Sequence, residues 1–388
     1  MELLKHMRPL LAAVAILTLI SGCGRRYRLS EEALQAAYPH VYARGDIAAT
    51  GAVSENGFDG HLETVWKRKI SDKPTGPITL NYGALALPGA SPKLRFFDMA
   101  TGKYLGGRRT NTPAHSAISF SGPRAYYCTA PRRSRLYCYD FREKRQVWRL
   151  SFSDGCLATI LVNERLVATD AGGALIALDP MTGSELWRTE TDSRFGVPAV
   201  SDGHKVYQPG DDGSLYAIDA ADGSLAFTAE LGEPPVGAAV HDDRLVAAGM
   251  FGTVAVVDAA GGALLWKRNL TSRLWAAPAV CDGNVIMVGG HGDLVCCDLT
   301  TGAELWRRDL GQAVRAPATI VGNIVVVATL TGRVLACDLR NGETIDETQL
   351  EGPVHYPPVS DGRRVYVATQ KGRVFCLGTD HERDQLEP

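Results

Sequence analysis

The chain repeats itself with a period of about forty residues, and this constrains its fold more than any other feature. Four copies carry the pattern: ALDPMTGSELW ending at Trp187, AIDAADGSLAF at Phe227, VVDAAGGALLW at Trp266 and CCDLTTGAELW at Trp306. The aspartates of the register are Asp98, Asp140, Asp179, Asp219, Asp258, Asp298 and Asp338, with successive gaps of 42, 39, 40, 39, 40 and 40. Gly378 takes the next position in step. Eight residues after each aspartate comes an aromatic position, filled by Gly106, Trp148, Trp187, Phe227, Trp266, Trp306 and Asp346; Trp66 supplies one more ahead of the first aspartate.

One period, residues 197–231, shows the unit. VPAV, HKVYQ, SLYAID and SLAFTAEL read as strands, separated by the turns SDG, GDDG and AADG. Asp bonds its own backbone in a turn and Gly accepts positive φ, while the runs between are short and rich in β-branched and aromatic residues. Four strands per forty residues make one propeller blade. A blade cannot bury both faces alone, so blades stack around an axis, and the tryptophan is expected to wedge against the neighbouring blade. Eight Trp-position strands, 66 to 346, match eight Asp-position strands, 98 to 378. The first outer strand lacks its own inner strands and the last inner strands, 354–378, lack an outer one. The two ends must share a blade, which removes the open edge. The sequence therefore predicts an all-β, eight-bladed β-propeller of four-stranded antiparallel blades over 58–378, with the N-terminal strand closing the last blade and 379–388 left as a C-terminal tail.

Ahead of the repeats, residues 1–22 read as a signal peptide: Lys5 and Arg8, then an apolar run from Leu10 to Ile20 that is short for a membrane span. Ile20-Ser21-Gly22-Cys23 resembles the bacterial lipobox, which implies a lipidated Cys23. Gly24 stands where an Asp would retain a lipoprotein in the inner membrane, so the expected location is the periplasmic face of the outer membrane. Residues 23–57 read as a lipidated tether, with Arg25, Arg26 and Arg28 near its start and a short helix pattern from Ser30 to Tyr38. A net charge of −2 excludes a dedicated nucleic-acid binder. The nine cysteines include no CxxC, and no histidine pair has zinc spacing.

The string A-P-A-V, D-G, D-G-x-L-x-A-x-D-x-x-x-G-x-x-x-W, seen here as PAVCDG at Pro278–Gly283 followed by GDLVCCDLTTGAELW, resembles the quinoprotein-type propeller repeat. Two kinds of protein use it. One is the dehydrogenases that bind pyrroloquinoline quinone. The other is the BamB lipoproteins of the machine that inserts β-barrels into the outer membrane. In the dehydrogenases a ring of adjacent cysteines lies against the quinone, which raises the question of Cys296 and Cys297. The repeat alignment answers it as core. Cys296 falls in a column of small apolar residues (Cys138, Ala177, Ala217, Val256, Ala336, Cys376) and Cys297 in a larger apolar one, so the sulfurs of these strand neighbours should diverge. Asp211 and Asp212 read as turn residues, and His241, His291 and His355 stand isolated in loops. Cys128 and Cys138 flank PRRSR on paired strands, a placement compatible with a disulfide that spacing alone does not settle. Arg132, Arg133 and Arg135 form a basic loop tip.

The resemblance favours a non-catalytic periplasmic scaffold without cofactor or metal, whose partner is the barrel subunit of the assembly machine. The alternatives are a different protein partner or a small quinone-dependent oxidoreductase. In the BamB family, a loop leaving an outer strand near mid-chain meets the barrel subunit through an arginine. Here the matching loop is TETDSRFGVPAV, and Arg194 takes that place. The family's next loop supplies acids, where LGEPPVGAAV offers only Glu233.

Overall fold

The computed structural model describes residues 49–54, 57–81, 83–129, 134–270 and 273–379. They form eight sheets arranged as the blades of a propeller. Blade I comprises Thr79–Asn81, Ala84–Gly89, Lys93–Asp98 and Tyr104–Arg109, each strand antiparallel to the one before. Blades II to VII repeat that order over 119–151, 156–190, 200–230, 235–269, 279–309 and 319–349. Blade VIII takes three strands from the end of the chain, Val359–Ser360, Val365–Thr369 and Arg373–Leu377. Its fourth is Thr64–Lys69, with Trp66 opposite Cys376. The ring closes between the two ends of the chain, as the strand count requires. First strands of successive blades touch around the axis, and fourth strands form the rim.

The repeated aspartate builds the turn between the third and fourth strands. In blade III the Asp179 Oδ1 accepts the backbone N–H of Met181 at 2.7 Å and of Thr182 at 2.8 Å, while its own N–H donates to Ser184 at 2.9 Å. Gly183 donates back to the Asp179 carbonyl at 2.8 Å. This glycine has two reasons to be one. Its φ is +74°, and a Cβ would lie 2.7 Å from the indole of Trp148. Each tryptophan thus lies flat on the next blade's turn. Its Nε1–H donates to the residue after that turn's aspartate: Trp66 to Met99 (2.9 Å), Trp148 to Pro180 (3.1 Å), Trp187 to Ala220 (3.1 Å), Trp266 to Leu299 (2.9 Å) and Trp306 to Leu339 (2.8 Å). Phe227 has no such donor, and at its seam the Tyr207 hydroxyl donates to Ala259 at 2.9 Å instead.

Two seams lack the aromatic and are filled differently. Between blades I and II, Gly106 leaves no ring to cover, and the matching turn carries Lys144 where the others carry glycine. Phe96, Tyr139 and Phe141 pack there, with the Arg108 guanidinium 4.3 Å from the Tyr139 ring centroid. Between blades VII and VIII, Asp346 accepts the Leu62 N–H at 2.8 Å, and Phe58 and Leu62 are buried in the seam.

Nothing in the period marks the first described segment. Ala52–Val53 pairs in parallel with Thr319–Val321, the first strand of blade VII, at the axis. The N–H groups of Val280, Ile320 and Gly322 donate to Thr50, Gly51 and Val53. Running parallel to a first strand, residues 49–53 pass along the axis from the face of the blade-to-blade loops towards the opposite face. Residues 57–62 then cross outward to the rim. The described end of the stretch read as tether is therefore bound to the ring.

Cys128 is bonded to Cys156, not to Cys138 as the sequence allowed. Cys138 stands opposite Tyr126 on the hairpin and remains a free, buried thiol. Cys128 ends the second strand of blade II, where it faces the first strand of blade III across the seam, so the bridge staples two blades.

Replacing Trp187 or Trp266 by alanine should cost about 3–5 kcal/mol of unfolding free energy in urea, since each is buried against a turn with little room to collapse. Leu186→Ala, on the exposed rim, should cost under about 0.5 kcal/mol. Without reductant, Cys128→Ser should free the Cys156 thiol to a thiol reagent after denaturation and lower stability by about 3 kcal/mol, whereas Cys138→Ser should leave the bridge intact. Hydrogen bonds from Thr182 and Thr301 hold the Asp179 and Asp298 carboxyls below the usual 3.8. A depressed folded value gives stability that is present above 3.8 and lost as pH falls through the folded value. Melting temperature should therefore drop on acidification below about pH 4, and less steeply in the Asp179→Asn, Asp298→Asn double variant.

Candidate partner-binding face

One face of the ring is built from the loops joining each fourth strand to the next blade and from the turns between second and third strands. The loop carrying Arg194 joins blades III and IV and is held from both sides. Phe195 is buried beside Tyr216, and its N–H reaches the Ala171 carbonyl of blade III at 3.3 Å. The Arg194 carbonyl accepts the Asp211 N–H of blade IV at 2.8 Å. Thr191 Oγ1 bonds the carbonyls of Gly173 and Ser193, and Ser193 Oγ takes the Asp212 N–H. The Arg194 side chain is exposed and makes no hydrogen bond or ion pair among the described residues. Its backbone is fixed and its guanidinium is exposed, so binding a carboxylate would have to order the side chain alone.

Two of the neighbouring acids, Glu233 and Asp212, are committed to turns. Glu233 does not present its carboxylate to a partner: Oε2 accepts the Phe251 N–H at 3.0 Å and Oε1 the Thr253 N–H at 2.8 Å, fixing a turn of blade V. Asp212 is a turn residue as expected, accepting Ser214 N–H at 2.9 Å and the Tyr216 hydroxyl at 2.8 Å. His291 is exposed in a blade VI turn. His355 is half-buried, its basicity lowered by burial and by Arg315. His241 lies at the other end of the axis, where a cavity of about 360 Å³ is lined by Thr50, Val53, Cys281, Asp282 and Asn323. Among the described residues, no group of three His, Cys, Asp or Glu is placed to hold a metal ion. Arg135 opens a blade II strand and is half-buried, while Arg132 and Arg133 lie outside the described residues, as does Cys23.

Cys296 and Cys297 lie in the third strand of blade VI, Asp293–Asp298, opposite Ile286 and Val285. Both are fully buried, and they face different seams: Cys296 packs with residues of blade VII, Cys297 with residues of blade V. Burial pushes their thiols up, to about 12 and about 11. A ring closed between them would have to bring together two sulfurs on opposite faces of one sheet, so this pair does not fit the quinone-contacting role.

Sequence reasoning singled out Arg194 and missed its structural equivalent. Arg273, in the loop joining blades V and VI, also offers its carbonyl to the next blade's turn, at 2.8 Å from the Gly290 nitrogen. A signal was available in Ser193-Arg194-Phe195 and Ser272-Arg273-Leu274, two periods apart.

A ring of forty-residue repeats, five of which dock an indole on the next blade's Asp–Gly turn, is a PQQ-like repeat propeller. A family model described as outer membrane protein assembly factor BamB matches residues 132–238 and 226–387. The chain belongs to that family. BamB from Moraxella catarrhalis has a similar structure, with a TM-score of 0.68 at 18% identity, covering 82% of this chain and 100% of that one. A quinohemoprotein alcohol dehydrogenase from Pseudomonas putida gives the same TM-score of 0.68 at 13% identity, covering 87% of this chain and 79% of that one. At such identities the likeness is one of fold alone. A 1-butanol dehydrogenase (cytochrome c) from Thauera butanivorans is 39% identical over 82 residues, 21% of this chain. The match spans 12% of that enzyme's length.

Proposed function

We propose that the protein is a non-catalytic scaffold lipoprotein, held by a lipid on Cys23 at the periplasmic face of the outer membrane. There it binds the barrel subunit of the outer-membrane β-barrel assembly machine and supports barrel insertion. The observation that carries the reading is the Arg194 loop: a backbone fixed to two blades, an unpaired exposed guanidinium, and a position matching the family's contact loop. Family membership supports the same reading. The dehydrogenase reading draws support from the 82-residue match, which covers 21% of this chain and 12% of that enzyme. Against it stands the divergence of the two adjacent cysteine sulfurs.

Two changes test the reading. Cys23→Ala should move the protein from the membrane fraction to the soluble periplasm, and persistence in membranes would rule out the lipid anchor. Arg194→Glu should lower co-purification of the barrel subunit about tenfold or more, the size of a lost charged hot-spot contact, with melting temperature unchanged. Wild-type recovery of the partner with Arg194→Glu would place the contact on another surface. A stoichiometric absorbance change on adding pyrroloquinoline quinone and Ca²⁺ would favour the oxidoreductase instead.

A further inference from the structure

We propose that the seam between blades V and VI carries a second contact for the same partner, formed by Arg273, Phe251 and Trp275. The partner would then lie across the loop face and be held at two points a quarter turn apart. This inference rests on the Arg194 reading and adds to it the rest of the footprint. The recognised chemistry is a protein segment that presents a carboxylate beside an aliphatic or aromatic side chain.

The position of Arg273 follows from the repeat, because its backbone is clamped as Arg194's is. The Leu274 N–H donates to Met250 of blade V at 3.1 Å, matching Phe195 N–H to Ala171, and the Arg273 carbonyl accepts from blade VI. Among the described residues its guanidinium bonds only the Met250 sulfur, a weak acceptor at 3.8 Å, and its other donors are available to a carboxylate.

The aromatic pair sets this seam apart. Phe251 is 57% exposed and Trp275 41%. The other large exposed hydrophobics lie elsewhere: Leu186, Leu225, Leu264, Leu265, Leu305 and Ile345 on rim strands, Met181 in a turn of the opposite face. On the loop face, then, apolar exposure among the described residues is confined to two rings that adjoin an arginine. The Phe251 backbone and the Trp275 ring are held in place. Phe251 donates its N–H to Glu233, and its carbonyl accepts Asn269 Nδ2–H at 3.1 Å. The Trp275 indole rests over Gly290, where a Cβ would sit 3.4 Å from the ring. Rigid aromatics beside arginine are the side chains that concentrate binding energy at protein interfaces, and their fixed geometry limits the entropy lost on docking. A partner already held at Arg194 would meet this second patch at high effective concentration, so two modest contacts combine into one firm attachment.

A photo-crosslinking amino acid placed at Asp192, beside Arg194, and separately at Trp275, tests the arrangement in cells. Both positions are expected to crosslink the barrel subunit. In parallel, Arg273→Glu and the Phe251→Ala, Trp275→Ala pair should each weaken binding of the purified barrel subunit by about tenfold, with melting temperature held. Arg273→Glu, an exposed loop charge, keeps the test informative should the aromatic pair lower stability. Crosslinking of the barrel subunit from position 192, with position 275 reaching only lipid, a second copy of this chain or nothing, would overturn the second contact and leave the Arg194 reading standing. No barrel-subunit crosslink from either position would overturn both.

Discussion

The structure depends on one contact made repeatedly: an indole on the rim strand of one blade lying over the aspartate–glycine turn of the next. Each part of it has a reason. The aspartate folds the turn, the glycine brings backbone to the ring face, and the indole N–H satisfies a carbonyl that the turn leaves bare. The contact has a direction, since the ring of one blade covers the turn of its successor. Blade I can be covered only if a strand from before it serves as the rim of blade VIII, and Trp66 does this, with its N–H on Met99. Ring closure thus uses the same indole contact as the seams at Trp148, Trp187, Trp266 and Trp306.

The features legible in the sequence were those with no interchangeable side chain. Tryptophan, aspartate and glycine recur because few residues can fill each role: Phe227 alone stands in for the indole over a turn glycine, and where Gly106 removes the ring, Lys144 replaces the glycine. Alternation along a strand was enough to send Cys296 and Cys297 to different seams. What stayed hidden depends on proximity between blades rather than along a hairpin. Cys128 meets Cys156 across a seam, and no periodicity encodes which residues of adjacent blades touch. Glu233 read as an outward acid because its two N–H partners, Phe251 and Thr253, are 18 and 20 residues away in sequence, in a turn of the blade that follows the loop. The axial strand at Ala52–Val53 is too short and too small in its side chains to announce a partner strand at 319–321.

The same frame serves assembly scaffolds and dehydrogenases, so function resides in what the loops carry. In this chain the described loops are short, and the backbones of those at Arg194 and Arg273 are bonded to the blades on either side. Glu233 and Asp212 are committed to turns, while Arg194, Arg273, Phe251 and Trp275 are exposed. The proposed recognition of another protein's acidic and apolar groups rests on these cations and rings.

The axial strand also settles how the molecule would bear load. A pull along the axis on the chain ahead of Ala49 would run in line with the first strand of blade VII, so the hydrogen bonds at Thr50, Gly51 and Val53 would resist it together in shear instead of opening one after another. Beyond them the tension turns outward through Phe58 and Leu62 and ends in the rim strand that closes the ring. The attachment is routed through the hub before it reaches the rim, as a hawser is led through a fairlead, and a strain that would peel a blade from an open edge is shared among three of them.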